Sequence, residues 1–194
     1  MRLMHLPVAL LSLGAAAGLA AAAPVTYKID PDHTYPSFEA DHMNGVSVWR
    51  GKMTKTAGSV TLDKAAGNGS LEVTIDPASI DFGQKQLNHW AIGPDFLDVR
   101  QYGQVLYKGR LEGFVDGAPT QVAGMLTLHG VTRPLALKIN SFKCIPHPLF
   151  KRELCGADAI GSFNRDEFGL TEGKDFGFRM AVTLRIQVEA LATQ

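Results

Sequence analysis

Signatures that usually announce chemistry are missing from this chain. It has no G-x-S-x-G nucleophile elbow, no H-E-x-x-H metal helix and no Walker loop; Gly67-Asn68-Gly69 has no helix start behind it and reads as a turn. An excess of either charge is missing too, with 19 basic against 19 acidic side chains. That balance argues against nucleic acid as a partner and against a broad electrostatic membrane patch. Cysteine is nearly absent, and the two present, Cys144 and Cys155, enclose I-P-H-P-L-F-K-R-E-L. Histidines are scattered: beyond the N-terminal segment stand His33, His42, His89, His129 and His147, with no short metal-ligand spacing, so no metal site is expected.

Long apolar runs are also lacking. Val8 to Leu19 is too short for a membrane span, and with Arg2 before it and the small residues Ala20 to Ala23 after it, the segment reads as a secretory signal peptide. Cleavage is expected after Ala22, because cutting after Ala23 places Pro24 just past the scissile bond. One domain is then expected over residues 23–194, with 18 basic against 19 acidic side chains once Arg2 is gone. In an exported chain an isolated cysteine pair is most simply a disulfide, worth about 3 kcal/mol by the loop-entropy model. The alternative, a pair of reactive thiols, has neither C-x-x-C spacing nor a helix start to recommend it.

What is present is alternation. Val122, Gly124, Leu126 and Leu128 point one way and Ala123, Met125, Thr127 and His129 the other; Leu135, Leu137 and Ile139 continue the apolar face after a turn around Gly130. Val25–Ile29, Ser37–His42, Val46–Lys55, Ser59–Asp63, Leu71–Asp76 and Gln104–Gly113 are further strand-like runs, joined by turn residues such as Asn44-Gly45 and Asp116-Gly117. Arg179 to Ala190 has the clearest pattern, with Met180, Val182, Leu184, Ile186 and Val188 on one face. Only Gln84 to Ile92 looks helical, and Pro94 to Leu97 resembles a second helical turn. About eight antiparallel strands with hairpin connections leave a sandwich or a closed barrel, and the unbroken meander favours the barrel.

Certain runs resemble the YceI-like family of periplasmic lipid-binding proteins: D-P-D-H-T (Asp30 to Thr34), F-E-A-D-H (Phe38 to His42), L-N-H-W…D-F-L-D-V (Leu87 to Val99), L-T-L-H-G-V-T-R-P-L (Leu126 to Leu135) and R-D-E-F-G (Arg165 to Gly169). The family commonly has serine where Thr34 stands and proline where Gly103 stands, departures that bear on local loop shape. The cysteine loop resembles that of a subset carrying a similar H-P-x-x-K-R-E-x-C-G-A-D run.

The resemblance implies an all-β, eight-stranded antiparallel lipocalin-like barrel with a short helical insertion, holding a polyisoprenoid chain in its interior. The expected apolar lining is Phe38, Val48, Leu71, Val73, Tyr107, Leu126, Leu128, Leu137, Phe163, Phe168, Val182 and Leu184. Leu87, Trp90 and Phe96 on the helical excursion would cover one mouth as a lid, with Trp90 mattering more for retention than Arg165. A buried charge without compensation is costly, so a head group should meet polar residues at the rim. The candidates are His33, His42 and Arg165, although a salt bridge to a local carboxylate is the more ordinary role for Arg165.

The expected function is therefore binding of an isoprenoid quinone or prenyl phosphate for transport, storage or sequestration in the periplasm, with no cofactor and no catalytic residue. Exchange with a membrane or membrane protein would follow, and exposed alternating strands leave a homodimer open. Two other classes compete: a hydrolase or isomerase using His33 or His42 with a carboxylate as base, and a stress-response interaction module with a solid core. A continuous interior cavity discriminates between the carrier and the solid module.

Overall fold

A computed structural model describes residues 23–194; the expected signal segment lies outside them. Eleven strand segments form one sheet that closes on itself through pairing of β1 (Val25–Ile29) with β11 (Ala181–Ala192). Three pairs of segments are collinear. β1 and β2 (Tyr35–His42) both pair antiparallel with β11, β3 (Ser47–Met53) and β4 (Thr56–Asp63) face them, and β5 (Asn68–Ile75) and β6 (Ile80–Asp81) follow. With β7 (Val105–Glu112), β8 (Gln121–Leu128), β9 (Val131–Pro146) and β10 (Glu153–Asn164), the molecule is a closed eight-strand antiparallel barrel. The helix α1 (Lys85–Ala91) lies between β6 and β7, within the run read as helical, whereas Pro94 to Leu97 forms turns.

Interruptions in the wall have local causes. Between β1 and β2 the Asp30 carboxylate accepts the Asp32 N–H, turning the chain, and Thr34 Oγ1 both accepts from Glu189 N–H (3.1 Å) and donates to Glu189 C=O (3.2 Å), so β11 still seals the gap. In β9 a bulge steps the register from Ala159↔Ile139 to Asp158↔Ser141, leaving Asn140 over. One extra residue inverts the facing of a strand. Inward positions therefore run Leu135, Leu137, Ile139 and then Phe142 and Cys144.

The β8–β9 hairpin turns on His129 (φ 51°) and Gly130 (φ 76°), the pair of positive angles that a tight hairpin needs. At Gly124 an added Cβ would strike the Tyr107 ring, which lies across the bare backbone so that its hydroxyl can donate to Leu135 C=O (2.9 Å). Cys144 and Cys155 face each other across β9 and β10 and are joined as the expected disulfide.

Candidate functional site

The barrel interior is not filled. A cavity of about 250 Å³ runs through it, where a single buried water requires only roughly 10–15 Å³. Its wall comes from nearly every strand: Tyr27 and Ile29 of β1, Phe38 of β2, Leu71 and Val73 of β5, Leu126 and Leu128 of β8, Leu135 and Leu137 of β9, and the even-numbered apolar positions of β11. The other expected lining residues Phe96, Tyr107, Phe163, Val182 and Leu184 are also on it. Besides Phe163, β10 contributes Cys155 and the small Gly156, Ala157 and Ala159.

Polar groups on this wall are few and mostly satisfied within the protein. Tyr107 donates to Leu135 C=O and Tyr27 donates to the Glu153 carboxylate, and burial pushes the pKa of both phenols up, helped at Tyr27 by Glu153. Among the described residues, Arg165 is the only charged side chain lining the cavity. It opens a short 3-10 turn, Arg165–Phe168, that ends in the left-handed Gly169, and it is only 8 % exposed. Its Nη1 donates to Leu170 C=O (2.7 Å) and its Nη2 to Glu172 C=O, while its guanidinium carbon lies 5.8 Å from the Phe96 ring centre. Burial lowers the Arg165 pKa, with Asp166 and Glu172 opposing. The expected carboxylate salt bridge is not the partner: the neighbouring Asp166 pairs with Lys174 instead (2.8 Å). Backbone carbonyls hold the fork, so the cation stands without a counter-ion among the described residues.

Several expected positions lie elsewhere. Val48 is 48 % exposed because it pairs with Asp41 on the face opposite the inward Phe38, so its side chain turns away from the interior. Leu87 is half-buried on α1 and does not reach the cavity, and Phe168 is buried behind it, edge-on to Phe163 at 5.3 Å. Trp90 is 41 % exposed and stacks on Phe96 (5.0 Å), and it is Phe96, with the adjacent Leu97, that touches the cavity. Arg165, not Trp90, is the cavity residue of the two. His33 points outward in an ion pair with Asp30 (2.8 Å), and His42 stacks on Trp49 (4.3 Å) outside the wall. Among the described residues, no histidine, aspartate or glutamate lines the cavity.

The motif residues nevertheless converge. His129, in the β8–β9 turn, is hydrogen-bonded through Nδ1 to Phe168 C=O (3.1 Å) and packs on Tyr102 (4.1 Å), tying the hairpin and the Arg165 turn to the segment after α1. Leu170, Ile80, Met53 and Pro36 are lining residues that the sequence reading missed; Leu170 directly follows the R-D-E-F-G run and was findable from it.

A family model described as the YceI-like domain matches residues 27–190. The chain belongs to the YceI-like family. A UPF0312 protein of Pseudomonas putida is 30% identical over 84% of this chain and 85% of its own length, and one of an Enterobacter is 30% identical over 86% and 85%. Among solved structures, Burkholderia cenocepacia BcnA superposes with a TM-score of 0.65 at 22% identity, covering 84% of this chain and 99% of that one. A polyisoprenoid binding domain from Saccharophagus degradans, implicated in plant cell wall breakdown, gives 0.61 at 14% identity, covering 87% and 99%. These two likenesses show the YceI-like barrel.

Proposed function

We propose that this YceI-like protein holds an isoprenoid lipid, a quinone or prenyl phosphate, with its chain in the barrel and its polar end beside Arg165, and that it performs no chemistry. The observation that carries the reading is the cavity itself: continuous, walled by aliphatic and aromatic side chains, and furnished with one unpaired cation. An apolar chain gains about 25 cal/mol per Å² of surface removed from water, which needs no charged contact. The guanidinium still has unused N–H groups for acceptor oxygens, whether phosphate or carbonyl. The polyisoprenoid-binding domain with the same barrel supports the ligand class. The disulfide supports an oxidising compartment, and we assign the protein to the periplasm as a carrier or sequestering protein.

Organic-solvent extraction of the purified protein, followed by mass spectrometry, should release a stoichiometric prenyl lipid. Protein that yields none, and whose melting temperature does not move when a prenyl quinone or prenyl phosphate is added, would refute the assignment.

A further inference from the structure

The β9–β10 hairpin outruns β8, but β10 keeps β11 beside it as far as Leu154, so only the hairpin tip stands clear of the barrel wall. β8 accompanies β9 only as far as Lys138, whereas β9 and β10 stay paired out to Pro146 and Glu153. The end of this hairpin, residues 141–152, contains Lys143, His147, Lys151 and Arg152 and no acidic residue at all. The first carboxylate after it, Glu153, is already engaged by Lys64 (2.6 Å) and Tyr27. At the tip Leu149 is 79 % exposed and Phe150 59 %.

This exposure is built, not loose. The Cys144–Cys155 disulfide staples the base of the hairpin, His147 N–H donates to Arg152 C=O (2.7 Å), and Lys151 N–H donates to His147 C=O (3.1 Å). The His147 ring accepts the N–H groups of Leu149 and Phe150 at Nδ1 and stacks on Phe150 at 4.5 Å, while the Arg152 guanidinium lies 6.0 Å from the Phe150 ring centre. Lys151 sits at φ 54°, a left-handed conformation that a side chain disfavours and that surrounding bonds must hold. The result is an ordered turn that presents two large apolar side chains to water beside Lys151 and Arg152, with Asp30, already paired to His33, near His147.

We propose that this tip docks on the anionic lipid surface of a bilayer, with Leu149 and Phe150 entering the head-group layer and Lys143, Lys151 and Arg152 meeting lipid phosphates. Charge sets this patch apart from an exposed apolar group at the other end of the barrel. At the opposite end Met43, Val46 and Phe176 are also exposed, but Asp41 and Asp175 stand among Lys174 and Arg179 there, so that patch offers no net attraction to an anionic surface. Docking is independent of the cargo: a barrel with or without lipid carries the same tip.

Co-sedimentation of the purified protein with vesicles of phosphatidylglycerol and phosphatidylcholine, against phosphatidylcholine alone, tests the proposal. Binding should require the anionic lipid and weaken with added salt. Leu149→Ser/Phe150→Ser should lower it about tenfold or more, since two large apolar side chains then no longer leave water. Val46→Ser/Phe176→Ser, made at the other patch, should bind as wild type, and both variants should keep the wild-type melting temperature and co-purified lipid. The proposal is overturned if wild-type protein ignores the anionic vesicles, even while capturing a protein partner, or if Leu149→Ser/Phe150→Ser binds them undiminished. Loss of vesicle binding with cargo intact separates docking from retention, and vesicle binding by protein that carries no lipid leaves docking standing where the carrier assignment falls.

Discussion

At the scale of a residue, Arg165 shows how a charged side chain is held on an apolar wall. A guanidinium 8 % exposed on an apolar wall is tolerated because two carbonyl oxygens lie in its fork. Arg165→Met would orphan the buried Leu170 carbonyl and remove the bond to Glu172 C=O, costing about 1–3 kcal/mol by the penalty for an unmade bond at a buried acceptor. Trp90→Ala removes only an exposed stacking partner of Phe96 and should cost about 1 kcal/mol or less. Urea denaturation of the two variants should rank them in that order, and equal midpoints would show that the carbonyl contacts of Arg165 contribute little. The order expected from the sequence, Trp90 before Arg165, concerns lipid retention, a quantity separate from these melts. An R-x-x-F-G run advertises a turn, but nothing in its spacing says whether the arginine folds inward to carbonyls or outward to a carboxylate.

At the scale of elements, legibility followed the alternation. β1 was read with the bounds it has, and the inward faces of β8, the first half of β9 and β11 were read correctly, because each keeps a period of two against a wet outer face. The second half of β9 was missed because the Asn140 bulge inverts the facing there, and β10 because E-L-C-G-A-D-A-I-G-S-F-N is too rich in small residues to show an apolar period. These two strands are also where the polar tie among elements sits. Glu153 of β10 accepts from Tyr27 of β1 and pairs with Lys64 in the β4–β5 turn. Burial works to raise the Glu153 pKa, but Lys64 and Tyr27 outweigh it and hold the carboxyl below its ordinary 4.5. A depressed carboxyl pKa contributes stability that is complete above the ordinary value and is lost as pH falls through the folded one. Stability should therefore drop on acidification below about pH 4.5, and Glu153→Gln should flatten part of that acid limb while lowering stability at neutral pH. Parallel acid limbs for variant and wild type in pH-dependent urea melts would mean the tie carries no linkage.

At the scale of the whole molecule, the open question in the sequence was whether the apolar inward faces pack against one another or against a guest. Both readings predict the same residues, because an eight-stranded barrel has an interior that side chains just fill or that holds one slender ligand. What decides between them is volume: the interior keeps a cavity of about 250 Å³, and β10, a strand whose small residues hid it in the sequence, lines that space with Phe163 and with the small Gly156, Ala157 and Ala159. If this space holds a prenyl chain, enlarging one of these residues should shorten the chain that fits while leaving the fold at least as stable, because the added methyl groups occupy a void. Ala159→Leu is the direct test, since Ala159 is buried on the wall and its neighbours Ile139 and Ile186 across the ladder are already apolar. Offered a mixture of prenyl quinones of graded length, the variant should retain shorter chains than wild type by mass spectrometry, at a melting temperature equal to or above the wild-type value. An unchanged length distribution in a folded variant would mean that the chain does not pass this point of the barrel.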